Sequence, residues 1–402
     1  MRARIAAGLA SLVLVSACTG GQTEPRRPPE QPTAGPTAET AEPTGALVVE
    51  EVTAGLEHGW DIGFLPDGQL LVSERPARLT LVSDAQQGAR ATEIRADLDD
   101  VYVTGEGGLM GLVVHPDFAE SREFTTCQTH AEDGEPVDVR LVTWRLAADG
   151  ASAEKVRDLL TGLPLNPSGR HSGCRPTMAA DGSLLVGTGD TARPDIPQDR
   201  GNLGGKVLRI DLDTGEGLPD NPFADSGNAN ERRLASFGHR NVQGVAVRPG
   251  SGQVFIAEHG PAVDDEVNLL EVGGNYGWDP SRGGTVDSYD ESVPMTDLDR
   301  FPDAVRPLWT SGDTTEAIGG AAFLTGQRWG SREGALAVTA LRGSKLLLFT
   351  VDEQGAVTDV TAPAELDGTY GRLRAARTGP DGALYLTTTN GDDDTLLRVT
   401  PS

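Results

Sequence analysis

One short phrase recurs along this chain and restricts its fold more than any other feature. It is a turn carrying Asp-Gly or an equivalent, then an apolar strand, with a second strand soon after. Leu65-Pro66-Asp67-Gly68 leads into QLLVSE, and RLTLV follows from Arg78. His115-Pro116-Asp117-Phe118 is a degenerate second case, with LVTWRL from Leu141 as its later partner. Asp181-Gly182 opens SLLVGTGD, with KVLRIDL from Lys206, and Ser251-Gly252 opens QVFIAEHG, with VNLLEV from Val267. Glu333-Gly334 opens ALAVTAL, with KLLLFTV from Lys345, and Asp381-Gly382 opens ALYLTTTNGD, with TLLRVT from Thr395.

Asp-Gly supplies the positive φ that a tight hairpin needs. The apolar runs, rich in leucine and β-branched residues, suit strands packed between two layers. Convincing amphipathic helices are scarce. Six such units predict an all-β, six-bladed β-propeller of four-stranded antiparallel sheets, in which radial closure hides most strand edges. A β-sandwich or an open solenoid is the competing architecture. A Gly-, Asp- and Pro-rich stretch around 281–315 interrupts the repeat and is expected to be a long loop over one face, where loops of this length often border a site.

The propeller is assigned to residues 46–402. Ahead of it, Arg2 and Arg4 precede a mostly apolar run, Ile5 to Val15, and Val15-Ser16-Ala17-Cys18 resembles a bacterial lipobox. The run is too short to span a bilayer permanently, so residues 1–18 read as a lipoprotein signal ending at Cys18, the expected lipidation site. Residues 19–45, rich in Pro, Thr, Gly and Glu, lack periodic apolar positions and read as a disordered linker. The expected product is exported and held as a lipoprotein on the outer face of the cell membrane, or in the periplasm, touching membrane only through its anchor. With Cys18 lipidated, Cys127 and Cys174 remain as a pair available for a disulfide. Spacing alone leaves open whether their Cα atoms approach closely enough. A formal net charge of -26 with no basic run argues against nucleic acid as a partner.

Several segments are too specific to be turn grammar. They are Gly105-Glu106-Gly107-Gly108-Leu109-Met110-Gly111, Arg170-His171-Ser172-Gly173-Cys174-Arg175 and Gly238-His239-Arg240-Asn241-Val242-Gln243-Gly244. Glu258-His259-Gly260-Pro261 follows, running through Asp264-Asp265-Glu266-Val267-Asn268-Leu269 to Gly273-Gly274-Asn275-Tyr276-Gly277-Trp278, and last comes Tyr370-Gly371-Arg372-Leu373-Arg374. In this order, over roughly 46–402, the set resembles the soluble sugar dehydrogenases dependent on pyrroloquinoline quinone (PQQ), the glucose, aldose and sorbosone dehydrogenase-like proteins.

The resemblance implies a dehydrogenase oxidising an aldose or related sugar hydroxyl with PQQ and Ca2+ and passing electrons to an external acceptor. It implies His171 as the general base, with hydride passing to the quinone, and Arg240 polarising a quinone carbonyl. It places Glu106, Arg240, Asn241, Arg342, Arg372 and Arg374 around the cofactor. It gives the carbonyls of Gly260 and Pro261 to one calcium, and Asp265, Glu266 and Tyr276 to a second, structural one.

Elementary chemistry agrees with these assignments. A tricarboxylate cofactor in so acidic a protein needs local positive charge, and the planar fork of Arg pairs bidentately with carboxylate. A neutral imidazole accepts a hydroxyl proton near neutral pH. Calcium takes oxygen ligands, backbone carbonyls included.

Three positions depart from the family pattern. Glu106 stands where Gln is common, Cys174 where a small residue is usual, and Arg342 near an expected lysine. These departures keep two alternatives in view, a non-catalytic cell-surface binding propeller and a calcium-dependent lactonase-type hydrolase. The identity of the sugar, and whether the protein is a monomer or homodimer, are not encoded in these motifs.

Overall fold

The computed structural model describes residues 45–402. The expected signal segment, lipidated Cys18 and all but the last residue of the linker lie outside the described residues.

Six four-stranded antiparallel sheets form the predicted propeller. Blade one comprises Gly59–Phe64, Leu70–Glu74, Arg78–Val82 and Ala91–Ile94. Blade two comprises Leu109–Val114, Glu123–Glu132, Glu135–Leu146 and Ala153–Leu163, and blade three Arg175–Met178, Leu184–Gly187, Lys206–Ile210 and Leu234–Phe237. Blade four has Val242–Val247, Val254–Glu258, Glu266–Leu269 and the short Trp309–Thr310. Blade five has Ile318–Phe323, Leu336–Ala340, Lys345–Val351 and Val357–Thr361. Blade six combines Leu373–Thr378, Leu384–Thr388 and Asp394–Pro401 with Leu47–Leu56 from the start of the propeller. That last pairing, Leu47 opposite Pro401 through Leu56 opposite Asp394, closes the ring with main-chain hydrogen bonds.

The recurring phrase marks the hairpin between the first and second strands of each blade. Gly68 and Gly182 sit at φ +89° and +85°, the region an L-residue resists. In blade two the short helix Phe118–Ser121 replaces this turn, and Arg122 at φ +55° supplies the reversal. The strands legible in sequence are thus the second and third of each blade. The first strands are harder to read because they line the narrow axis, where successive blades pack against one another around a closed ring. Small residues are needed there. A Cβ on Gly320 would lie 2.5 Å from the Ala376 amide nitrogen, and one on Gly244 2.4 Å from the Gly319 carbonyl oxygen.

Apolar burial is concentrated between blades. Phe124, Trp144, Leu79 and Leu109 fill one such layer, and Phe255, Phe323, Val338 and Phe349 another. Cys127, in the second strand of blade two, is bonded to Cys174 at the entrance to blade three, with Cα atoms 6.2 Å apart. Of the segment expected to loop over one face, Trp309–Thr310 is blade four's outer strand, and the stretch before it carries residues to the site.

Candidate active site

The turns of the recurring phrase occupy one end of the propeller. The loops entering each first strand and leaving each second strand occupy the other, and Glu106, His171, Arg240, Asn241, Gly260 and Pro261 sit there. The loop before blade two brings Glu106, the loop before blade three His171, and the loop before blade four Arg240 and Asn241.

His171 is buried, at φ +51°, a backbone setting uncommon for a non-glycine residue. Its Nδ1 lies 2.7 Å from Asp190 Oδ1. Asp190 is wholly buried and also accepts Tyr289 Oη at 2.6 Å and Trp278 Nε1 at 2.8 Å. Burial alone would raise Asp190, but the charge and hydrogen bond of His171, Arg240 nearby and the Tyr289 hydroxyl hold it below the usual carboxylate range. An acceptor on Nδ1 keeps the ring proton there and leaves Nε2 as the basic nitrogen. The sequence reading missed Asp190. It ends the strand phrase SLLVGTGD, but nothing in the linear pattern pairs it with a histidine nineteen positions earlier.

Arg240 is buried, its Nη1 donating to the carbonyls of His259 at 3.0 Å and Gly260 at 2.9 Å and its Nη2 to Glu291 Oε1 at 2.6 Å. Its Nε is buried without a partner. Glu106 accepts from the Ser172 amide at 3.2 Å, from Asn241 Nδ2 at 3.2 and 3.3 Å, and from Gln243 Nε2 in a short contact. Gln243 Oε1 in turn accepts Arg374 Nη1 at 3.2 Å, and the Arg374 guanidinium lies 3.9 Å over the Trp60 ring. Burial lowers Arg374 to about 9 against the opposing pull of Glu106. His259 is pushed down to about 3 by burial and then by the charges of Arg374, Arg240 and His171. Its Nε2 and the Arg374 Nε are also buried without partners.

Glu106, His171, Arg240, Asn241 and Arg374 therefore come together, with Gln243, His259 and Trp60 added by the fold. Arg342 and Arg372 are exposed, each on a loop at the same end of the propeller, and stand outside this contact network. The unpartnered nitrogens of Arg240, Arg374 and His259 suit a flat, polycarboxylate quinone better than a neutral ligand.

Gly260 and Pro261 lie beside Arg240. Asp265 accepts the Gly260 amide at 2.9 Å, the Thr315 hydroxyl, and the amides of Glu316 and Ala317 at 2.6 and 2.7 Å, so it fixes the Gly260 peptide. Glu266 is buried and pushed up to about 8 by burial and by the charge of Glu258, while Asn268 Oδ1 beside them has no partner. Tyr276 uses its hydroxyl on Leu269 O at 2.7 Å and the Glu271 amide at 2.8 Å, and its ring stacks on His239 at 4.2 Å. Among the described residues, no group of three or more His, Cys, Asp or Glu side chains is arranged to hold a metal.

The family model described as Glucose / Sorbosone dehydrogenase matches residues 56–398. The aldose sugar dehydrogenase YliI of Escherichia coli K12 is 29% identical over 354 residues, covering 88% of this chain and 92% of that protein. Quinoprotein glucose dehydrogenase B of Acinetobacter calcoaceticus is 32% identical over 254 residues, covering 56% of this chain and 50% of that protein. Among solved structures, the PQQ-bound aldose sugar dehydrogenase of Streptomyces coelicolor superposes with a TM-score of 0.71 at 31% identity, covering 90% of this chain and all of that one.

Proposed function

The chain belongs to the glucose / sorbosone dehydrogenase family, and from that premise we propose that it oxidises an aldose or related sugar hydroxyl with PQQ and calcium, His171 acting as general base. The observation that carries this reading is the His171–Asp190 pair set beside buried arginines with unpartnered nitrogens.

When bound, PQQ supplies the electrophilic ortho-quinone that takes up hydride, and calcium polarises it as a Lewis acid. Asp190 and Tyr289 hold the His171 ring so that Nε2 faces away from Asp190 and accepts the hydroxyl proton from the sugar. Arg240, held by two carbonyls and Glu291, presents fixed positive charge where negative charge develops on the acceptor. Arg374, Asn241 and Gln243 would hold the cofactor, and Glu106 lies within their hydrogen-bond network, its charge offset by Arg374. Trp60 and Trp278 form apolar walls that exclude water.

The Gly260 and Pro261 carbonyls would take the first calcium, with Asp265 fixing the peptide. The Gly260 carbonyl accepts one bond from Arg240 and keeps a second lone pair that a cation would use. The buried carboxylates of Glu266 and Glu258 would be relieved by the second. We further read Cys18 as lipidated and the protein as membrane-anchored outside the cytoplasm, delivering electrons to an external acceptor.

The test is reconstitution of the purified protein with PQQ and calcium, following cofactor absorbance and dye reduction over a panel of aldoses. Stoichiometric binding with turnover supports the dehydrogenase. A folded protein that binds no PQQ would leave a binding propeller or a hydrolase.

A further inference from the structure

The long stretch between Glu266–Leu269 and Trp309–Thr310 reaches from blade four to His171 and carries Glu291, whose second carboxylate oxygen the mechanism does not use. Tyr289 anchors it: the hydroxyl donates to Asp190 at 2.6 Å, and the ring lies 5.8 Å from that of His171 and 6.0 Å from Trp278. Two residues on, Glu291 Oε1 accepts Arg240 Nη2 at 2.6 Å and Arg170 Nη2 at 3.0 Å. Arg170 is held a second time, its guanidinium 5.7 Å from the Tyr289 ring centroid.

The bland reading is a surface ion pair worth little. It fits poorly, because one partner is the buried Arg240 and the strand of chain between is tied to the residue that orients the base. Glu291 Oε2 accepts no hydrogen bond from the described residues, and the side chain is 40% exposed. Burial would raise this carboxyl, but Arg240 by hydrogen bond and charge, then Arg170 and His171, hold it below the usual range. The carboxylate therefore stands partly exposed on Arg240, two residues from the tyrosine that contacts His171 and Asp190.

We propose that Glu291 selects the substrate by charge, admitting neutral and amino sugars and rejecting sugar acids. This rests on the sugar-oxidising reading above and deepens it. A sugar hydroxyl or ammonium donates to Glu291 Oε2, whereas a sugar carboxylate meets like charge, and the arginines that would attract it are already neutralised. Substitution Glu291→Gln removes that repulsion and leaves Arg170 and Arg240 uncompensated, so the preference inverts in sign.

The experiment compares kcat/KM for a neutral aldose, its 2-amino analogue and its uronic acid in the PQQ- and calcium-loaded protein and its E291Q variant. In parallel, equilibrium binding of an aldonate, which has no oxidisable C1 hydroxyl, is read by tryptophan fluorescence. E291Q is expected to raise the uronate-to-aldose ratio about tenfold, lower the amino-sugar ratio by a similar factor and tighten aldonate binding, all less so at high salt. Ratios and aldonate affinity unchanged within about twofold would overturn the proposal. If no sugar is turned over, the dehydrogenase reading fails, and aldonate affinity alone then decides the role of Glu291. E291S, which keeps a small polar side chain, repeats the comparison should E291Q misfold.

Discussion

Asp190 shows how much one side chain contributes to a site that a motif only outlines. It accepts from three side chains, His171 on the loop before blade three and Tyr289 and Trp278 on the long stretch between Glu266–Leu269 and Trp309–Thr310. Replacing His171 by Gln should leave PQQ affinity largely intact and lower turnover by roughly a hundredfold or more. Unchanged turnover would remove it as the base. Asp190→Asn keeps the shape but offers Nδ1 a donor as readily as an acceptor, so the ring's tautomer is no longer fixed. The expected loss is about a hundredfold in kcat with PQQ affinity held, and absorbance titration beside steady-state kinetics separates the two. A change in affinity alone would make Asp190 a structural residue.

At the scale of elements, the disulfide and the axial glycines do different work. Cys127–Cys174 joins two blades across a sequence separation of 47, and closing such a loop restricts the unfolded chain by about 4 kcal/mol in the entropic account. The double variant C127S/C174S should lose stability of that order in denaturant titration. Because Cys174 lies three residues from His171, activity measured well below the new midpoint should also fall. Full activity there would show that the bond stabilises the fold without positioning the base.

For the whole molecule, the axis below the site is held by charge. Asp61 from blade one is wholly buried and accepts Arg377 of blade six at 2.8 Å through both oxygens and Arg175 of blade three at 2.9 Å. Burial would raise it, but Arg377 and Arg175 hold it below the usual carboxylate range. The unfolded state then binds the proton more readily. The stabilisation is present above the ordinary value near 4 and is lost as pH falls through the folded value. Asp61→Asn leaves the buried Arg175 and the half-buried Arg377 short of their counter-ion and should cost about 3–5 kcal/mol, with a flatter acid limb in thermal melts from pH 5 to 3. A variant as stable as the parent would show that the axis depends on packing alone. Separately, Cys18→Ala should release the protein from membranes in cell fractionation, and continued association would refute the lipid anchor.

The number of blades is legible along the chain, because each hairpin between first and second strands needs a residue at positive φ, and Gly or its substitute must be written at that point. Most of the residues that come together at the candidate site are legible there too. Glu106, His171, Arg240, Asn241 and Arg374 carry their identity in local motifs, since backbone and side chain act within a few residues of one another. The rest depends on contacts between segments far apart in the chain. Closure of blade six by Leu47–Leu56, the pairing of Cys127 with Cys174, the grip of Asp190 on His171 and the reach of Tyr289 and Glu291 across the mouth join distant segments of the chain. Arg342 and Arg372, which the motifs grouped with the site, are exposed on loops at the same end of the propeller, and the charge of Arg372 reaches Arg374. Spacing along a chain encodes a turn or a strand face. Which loops meet at a propeller's mouth depends on how six blades pack around one axis, and no local pattern records that.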